Sequence, residues 1–247
     1  IGDDADITAG TVRVSASNAQ SIRALGGAIA AGAKTGIGGT FTGTVSTDFV
    51  TARIGSSSGN TGVQATDAIT IHAASDQIVE TVSVAGGVSA GVGVGGALGV
   101  TAIRGGATAE LADSGNLQVT GAPSETTGGI GITSTVGTEL KAAVGGLGAG
   151  KTKAGVGGGA AVNLLLGQST ARVGNAAQVD ATGRIDVAAT TRGDVITLTA
   201  GLGGAPGKAA GLALSTNTFV GITRATVGNG ALLNQRNQAA QRAVRVA

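Results

Sequence analysis

Apolar and polar residues alternate along this chain in short phrases that return at near-regular intervals. In Thr170-Ala-Arg-Val-Gly-Asn-Ala-Ala-Gln-Val179 and Asp180-Ala-Thr-Gly-Arg-Ile-Asp-Val187, a short apolar step leads into a Gly/Asn turn. A second short strand, a Gly turn and a third strand follow. A single polar residue separates Ile185 from Val187, the period of an extended strand with one buried face. Counted from the apolar residue ahead of the turn, copies begin at Ile1, Ile54, Leu111, Val173 and Val227, spaced 53, 57, 62 and 54 residues apart. Self-similarity on this scale predicts an array of stacked units.

Each unit divides into a compact part and a long Gly/Ala part. The compact parts carry the strand pairs Val12/Val14, Ile69/Ile71, Ile130/Ile132 and Ile185/Val187, and turn clusters such as 56–62 precede them. The third unit is longest because it inserts 121–129, which belongs on a loop at the edge of the stack. The long parts turn near Lys34, Gly91, Lys153 and Lys208, and from these to the next start is 20, 20, 20 and 19 residues. That constancy implies a fixed return leg, and interior Gly disfavours helix. Two columns recur. Ala52, Ala109, Ala171 and Ala225 each stand two residues before a start, which predicts a tight inward corner. Their variable neighbours Arg53, Glu110, Arg172 and Thr226 then face solvent. Thr44, Thr101, Asn163 and Asn217 stand ten before a start and predict a hydrogen-bond ladder. A period near 57 fits three coils of about 19 residues, the reading preferred here, or one flattened rung with two long facing legs.

Composition narrows the class. The 247 residues include 47 Gly and 3 Phe but no Trp, Tyr, Met or Cys, so Val, Ile, Leu and Ala must build the interior. Such residues fill the thin cross-section of an all-β solenoid better than a broad globular core. A net charge of +2 and 42% hydrophobic residues exclude a disordered polyelectrolyte. Absence of Cys fits export through an oxidising compartment. The chain opens inside the repeated phrase without Met, as expected of a piece of a longer array.

Motifs of chemistry are sparse. Residues 145–152 match the phosphate-loop pattern, but 153–159 (Lys-Ala-Gly-Val-Gly-Gly-Gly) cannot open the helix such a loop requires. Residues 91–96 match a dinucleotide pattern with the same defect. Asp3, Asp4 and Asp6 read as a solvated turn, and His72, the sole His, caps a strand edge. No catalytic residue, cofactor site or metal site is therefore expected. A carbohydrate-cleaving groove would need stacking aromatics, and Tyr and Trp are absent. Arg192, Gly193 and Asp194 form a tripeptide that integrins recognise when Arg and Asp point apart on an exposed turn; as a Gly turn flanked by solvating charges they need no such role. Residues 195–247 carry Lys208, Arg224, Arg236, Arg242 and Arg245 and no acid, but lack the aromatic interleaving of a nucleic-acid binder.

The phrase Thr-Ala-Arg-Ile/Val-Gly, then a turn, then Ile-x-Val-x-Ala and Gly/Ala-rich strands, resembles repeats of filamentous haemagglutinin-like and leukotoxin-type filamentous adhesins. These are very large Gram-negative passengers exported to the cell surface. The resemblance covers residues 1–233 and implies a right-handed parallel β-helix. It further implies a structural, non-enzymatic segment of a cell-surface or secreted adhesin. Its partners would be a host-cell, neighbouring-cell or matrix component, with export through an outer-membrane transporter. The alternative is a self-assembling extracellular fibre subunit, associating end to end or laterally. Residues 234–247 break the pattern and are expected as a basic tail, either a cap or disordered.

Overall fold

The computed structural model describes residues 1–56, 60–121, 129–234 and 244–247. Eight long legs form four levels: β1 (Asp6–Gly32) with β2 (Thr35–Ile54), β3 (Gly62–Ser89) with β4 (Val92–Leu111), β6 (Gly129–Gly150) with β7 (Ala154–Val173), and β9 (Ile185–Gly204) with β10 (Lys208–Val227). Short strands β5 (Asn116–Val119), β8 (Gln178–Ala181), β11 (Leu232–Leu233) and β12 (Val244–Val246) complete the set. There is no helix among the described residues. First legs and short strands build one eight-stranded sheet, and return legs build a four-stranded sheet in the order β10-β7-β4-β2.

All pairing is parallel, and it joins residues one sequence period apart. Ile54 stands opposite Leu111, Leu111 opposite Val173, and Val173 opposite Val227. Gly55 N–H donates to the Ile1 carbonyl at 3.0 Å, which extends that alignment to the first start. The preferred three-coil reading is thereby corrected. A level is one circuit of two long legs, and each return leg is one continuous strand of 20 residues with no turn inside it. Length variation collects where the short strand meets the long leg. Gly10 alone stands there between paired residues of β1, opposite Thr66 and Asp67 of β3. In the later levels the short strands β5 and β8 end at Val119 and Ala181, and the long legs β6 and β9 begin at Gly129 and Ile185. Residues 57–59 of the turn cluster and 122–128 of the insertion fall outside the described residues.

The interior tapers. Near the compact end the sheets enclose Ile69, Ile71, Ile130, Ile132, Ile185, Val187, Leu111 and Leu117, all fully buried. Further along, Val79, Ile103, Leu140 and Leu165 form a smaller cluster, and then Ala85, Ala97, Val144 and Ala161. Beyond these, the inward positions are mostly Gly, with small residues such as Ala30 and Ser89 among them. A Cβ at Gly87 would overlap the Val94 carbonyl oxygen, one at Gly95 the Leu147 carbonyl, and one at Gly148 the Val156 carbonyl. Backbone there packs directly on backbone of the opposite sheet. The expectation that Val and Leu fill the whole interior is overturned in this thin half. In Val92-Gly-Val94-Gly95, Gly faces inward and Val outward, the reverse of Ile69-Thr-Ile71.

Ala52, Ala109, Ala171 and Ala225 occupy one register, and the first three are buried. Thr44, Thr101, Asn163 and Asn217 share another, facing sheet residues of the first legs. Asn163 Nδ2 donates to Asn217 Oδ1 at 2.7 Å and to Thr197 Oγ1 at 3.0 Å, and Thr81 and Thr101 hydroxyls meet at 3.2 Å. Between the clusters, Asp48 accepts hydrogen bonds from Asn18 (2.9 Å) and Ser75 (2.6 Å), while the Ser46 hydroxyl donates to Gln77 Oε1 at 2.6 Å and lies 2.9 Å from the Gln20 side-chain amide. A buried Gln77 has room because Gly105 lies opposite. The tail does not end the pattern at Leu233. Val244 and Val246 pair with Ile185 and Val187, so Val-Arg-Val repeats the paired strand residues of earlier units. Residues 235–243 lie outside the described residues.

Backbone contact across the thin half makes inner Gly irreplaceable. Gly148→Val should lower stability by about 3 kcal/mol, the upper end of overpacking costs. Gly131→Val, at an outward position with open space around its Cα, should stay within about 0.5 kcal/mol of the parent. Urea midpoints of the two variants check this; equal midpoints would contradict the tapered interior.

Candidate functional site

Charged side chains gather on the outside of the thick half, where outward positions alternate with the Ile and Val that fill the core. On the four-stranded sheet, Arg53, Glu110 and Arg172 stand in one register. Arg172 bridges Glu110 (Nη1–Oε1, 2.8 Å) and Asp113 (Nη2–Oδ1, 2.8 Å), and Arg53 approaches Glu110 at 3.7 Å. Signs alternate from level to level, so strands 4.8 Å apart attract through their side chains. Asp113 also accepts from the Asn175 backbone N–H at 2.8 Å and from Asn175 Nδ2 at 3.2 Å. The Asn175 backbone and side-chain donors, followed by nearby Arg172 and Arg53, hold the Asp113 carboxyl below its ordinary value. Arg172 is thus tied down, although its position varies between units and was expected to do no more than face solvent.

On the eight-stranded sheet, Asp76, Gly137 and Arg192 share one register and Ile78, Glu139 and Asp194 the next. Their side chains border a shallow groove of about 400 Å³ floored by Gly137. Arg192 and Asp194 are exposed on the same outward face of β9, two residues apart, and Gly193 faces inward against Phe219. The tripeptide therefore lies in a straight strand, not on a turn, and its two charges point to the same side. β6 pairs along one edge of that strand; β12 reaches only 185–187 on the other. Glu139 is paired with Lys141 at 2.6 Å, an attraction and hydrogen bond that raise the Lys141 ammonium above its ordinary value.

Other sequence motifs dissolve into the sheets. Residues 145–150 are the end of β6, and Lys151 and Thr152 form the turn, with Thr152 Oγ1 donating to the Ala90 carbonyl at 2.6 Å. β7 follows, so no helix N-terminus faces a phosphate there. Residues 92–96 lie in β4. His72 Nδ1 meets Thr133 Oγ1 at 2.9 Å on the outer face. Among the described residues no group of three His, Cys, Asp or Glu could hold a metal ion.

Sequence reasoning missed the exterior of the thin half. Val84, Val88 and Leu147 on one sheet and Leu98, Val156, Val162 and Leu164 on the other are 38–51% exposed, although they lie on the two central levels. The signal was present as the Val/Gly alternation of 92–95, but the interior was expected to be built of Val, Ile, Leu and Ala.

Two measurements test the charged ladder. Arg172→Leu should cost about 1 kcal/mol because Glu110, a largely covered carboxylate, loses its close partner. The cost should shrink in high salt. Ala171→Leu should cost 1–3 kcal/mol regardless of salt. Melts in low and high salt check both; a salt-independent Arg172→Leu effect would contradict the ladder. The pH dependence has a definite sign. Because the folded Asp113 carboxyl lies below its ordinary value of 3.8, its contribution is present above that value and is lost as pH falls through the folded one. Melting temperature should therefore drop more below about pH 4 in the parent than in Asp113→Ala.

Comparisons with protein-family models, with curated proteins and with solved structures find nothing that matches this chain.

Proposed function

We propose that this chain is a right-handed β-solenoid segment of a bacterial cell-surface or secreted filamentous adhesin, a rigid stalk rather than an enzyme. The observation that carries the reading is the parallel pairing from level to level in both sheets, continuous over all 20 residues of each return leg. Main-chain hydrogen bonds run along the stack, so bending it would stretch many of them together. Such a body transmits position and load. Its partner would be a component of a host cell, a neighbouring cell or the matrix, gripped elsewhere on the assembled rod or through the outer charged groove beside Arg192 and Asp194. The stretch 1–233 supplies the array, with units beginning near 1, 54, 111, 173 and 227. Residues 244–246 continue it.

A second reading is a self-assembling fibre subunit, in which the parallel pairing seen between levels continues from one chain to the next.

Electron microscopy of the purified chain separates the readings. A stalk segment should appear as short rods whose length does not change with concentration, and rods should bind cell or matrix preparations. Filaments that lengthen with concentration would favour the fibre subunit. Compact round particles would overturn both.

A further inference from the structure

We infer that the thin half of the stack enters a lipid bilayer tip first, with both outer faces in hydrocarbon and the lysine-bearing turns at the far headgroup layer. Its apolar surface is two-sided. Leu25, Ile29, Val84, Val88 and Leu147 cover one sheet, and Phe41, Leu98, Val156, Val162 and Leu164 the other. A second copy packed on one face would leave the other in water, whereas lipid covers both together.

Charge distribution points the same way. No acid occurs in 24–47, 81–109, 140–179 or 195–247, so the legs of the thin half are free of carboxylates. The turns at its tip carry Lys34, Lys151 and Lys153, with Lys208 beside the last. Cations at a membrane-crossing tip suit anionic headgroups. Length agrees as well. Arg23, Glu80 and Lys141 form a charged row across the first legs. From Arg23 to Lys34 the chain advances eleven residues, about 36 Å at the rise of a parallel strand. The hydrocarbon core of a bilayer is about 30 Å thick.

On the four-stranded sheet, outward Gly39, Gly96 and Gly158 open a trough of about 600 Å³ across the levels. Phe41, Leu98, Ala160 and Leu214 wall it, and most of the surface it presents is apolar carbon, which suits an acyl chain. Inside the blade, backbone rests on backbone at Gly87, Gly95 and Gly148, leaving no room for water. Hydrocarbon cannot satisfy open sheet edges, so in the inserted form every level is paired on both sides.

The test uses flotation of the whole chain with vesicles of phosphatidylcholine and phosphatidylglycerol in equal parts. Gly96→Asp and Gly27→Asp each place one charge on an opposite face of the thin half, at positions where a Cβ meets open space or ordinary contact. Thr135→Asp places the same charge on the outer face of the thick half. Circular dichroism and melting verify that all three fold. Parent and Thr135→Asp should float, while Gly96→Asp and Gly27→Asp should each lose binding by about tenfold or more. A reporter on Val162→Trp, in a chain otherwise without Trp, should shift to the blue and be quenched by acyl chains carrying bromine. Loss of flotation in only one of the two face variants would overturn tip-first entry. So would a parent that stays unbound, including one that sediments as an oligomer dissociated by Gly96→Asp.

Discussion

Two sheets in direct backbone contact set the terms for the rest of this molecule. In the thin half, the carbonyl of one leg occupies the space where a Cβ of the facing leg would stand, as at Gly87 and Val94 or Gly148 and Val156. At those positions only Gly satisfies that distance. With inner positions so restricted, any bulky residue on those legs must point outward, and Val, Leu and Ile do. The return legs run as continuous strands for 20 residues, with small or absent inner side chains along the thin half. At the compact end the same legs diverge, and inner side chains grow from Ala to Val, Ile and Leu to fill the gap. Tight interior packing and an apolar exterior are thus two consequences of one spacing.

A tapered apolar interior alone would not fix one level over the next, since parallel strands of Val, Gly and Ala can slip. Polar groups supply the register. Asp48 between Asn18 and Ser75, Ser46 between Gln20 and Gln77, and Asn163 on Asn217 are hydrogen-bonded only in the observed alignment. A slip of two residues would strip those partners from Ser46, Asp48, Ser75, Gln77 and Asn163, which are buried, at about 1–3 kcal/mol for each group. Outside, Arg53, Glu110, Arg172 and Asp113 repeat that selection with charge. These exposed pairs are individually weak, yet they act at each step of the stack.

The alternation of Val/Ile with polar residues fixed strand over helix, and the return of Thr-Ala-Arg-Ile/Val-Gly located where each level begins, since Ile54, Leu111, Val173 and Val227 do share a register. Short-range periodicity and copy spacing are properties of the chain itself, and so both could be read from it. The columns Ala52/Ala109/Ala171/Ala225 and Thr44/Thr101/Asn163/Asn217 were visible for the same reason. What the sequence left open was decided by the distance between the sheets. A leg of 20 residues is compatible with a bent coil or a straight strand until the facing backbone is in place. Likewise Val-Gly-Val-Gly has two faces, and burial of the larger residue is the ordinary outcome. Only the close approach of a second sheet reverses it, putting Gly inside and Val outside. Arg192 and Asp194 came to one side of a strand by that same geometry, because a continuous flat leg passes where a turn was expected.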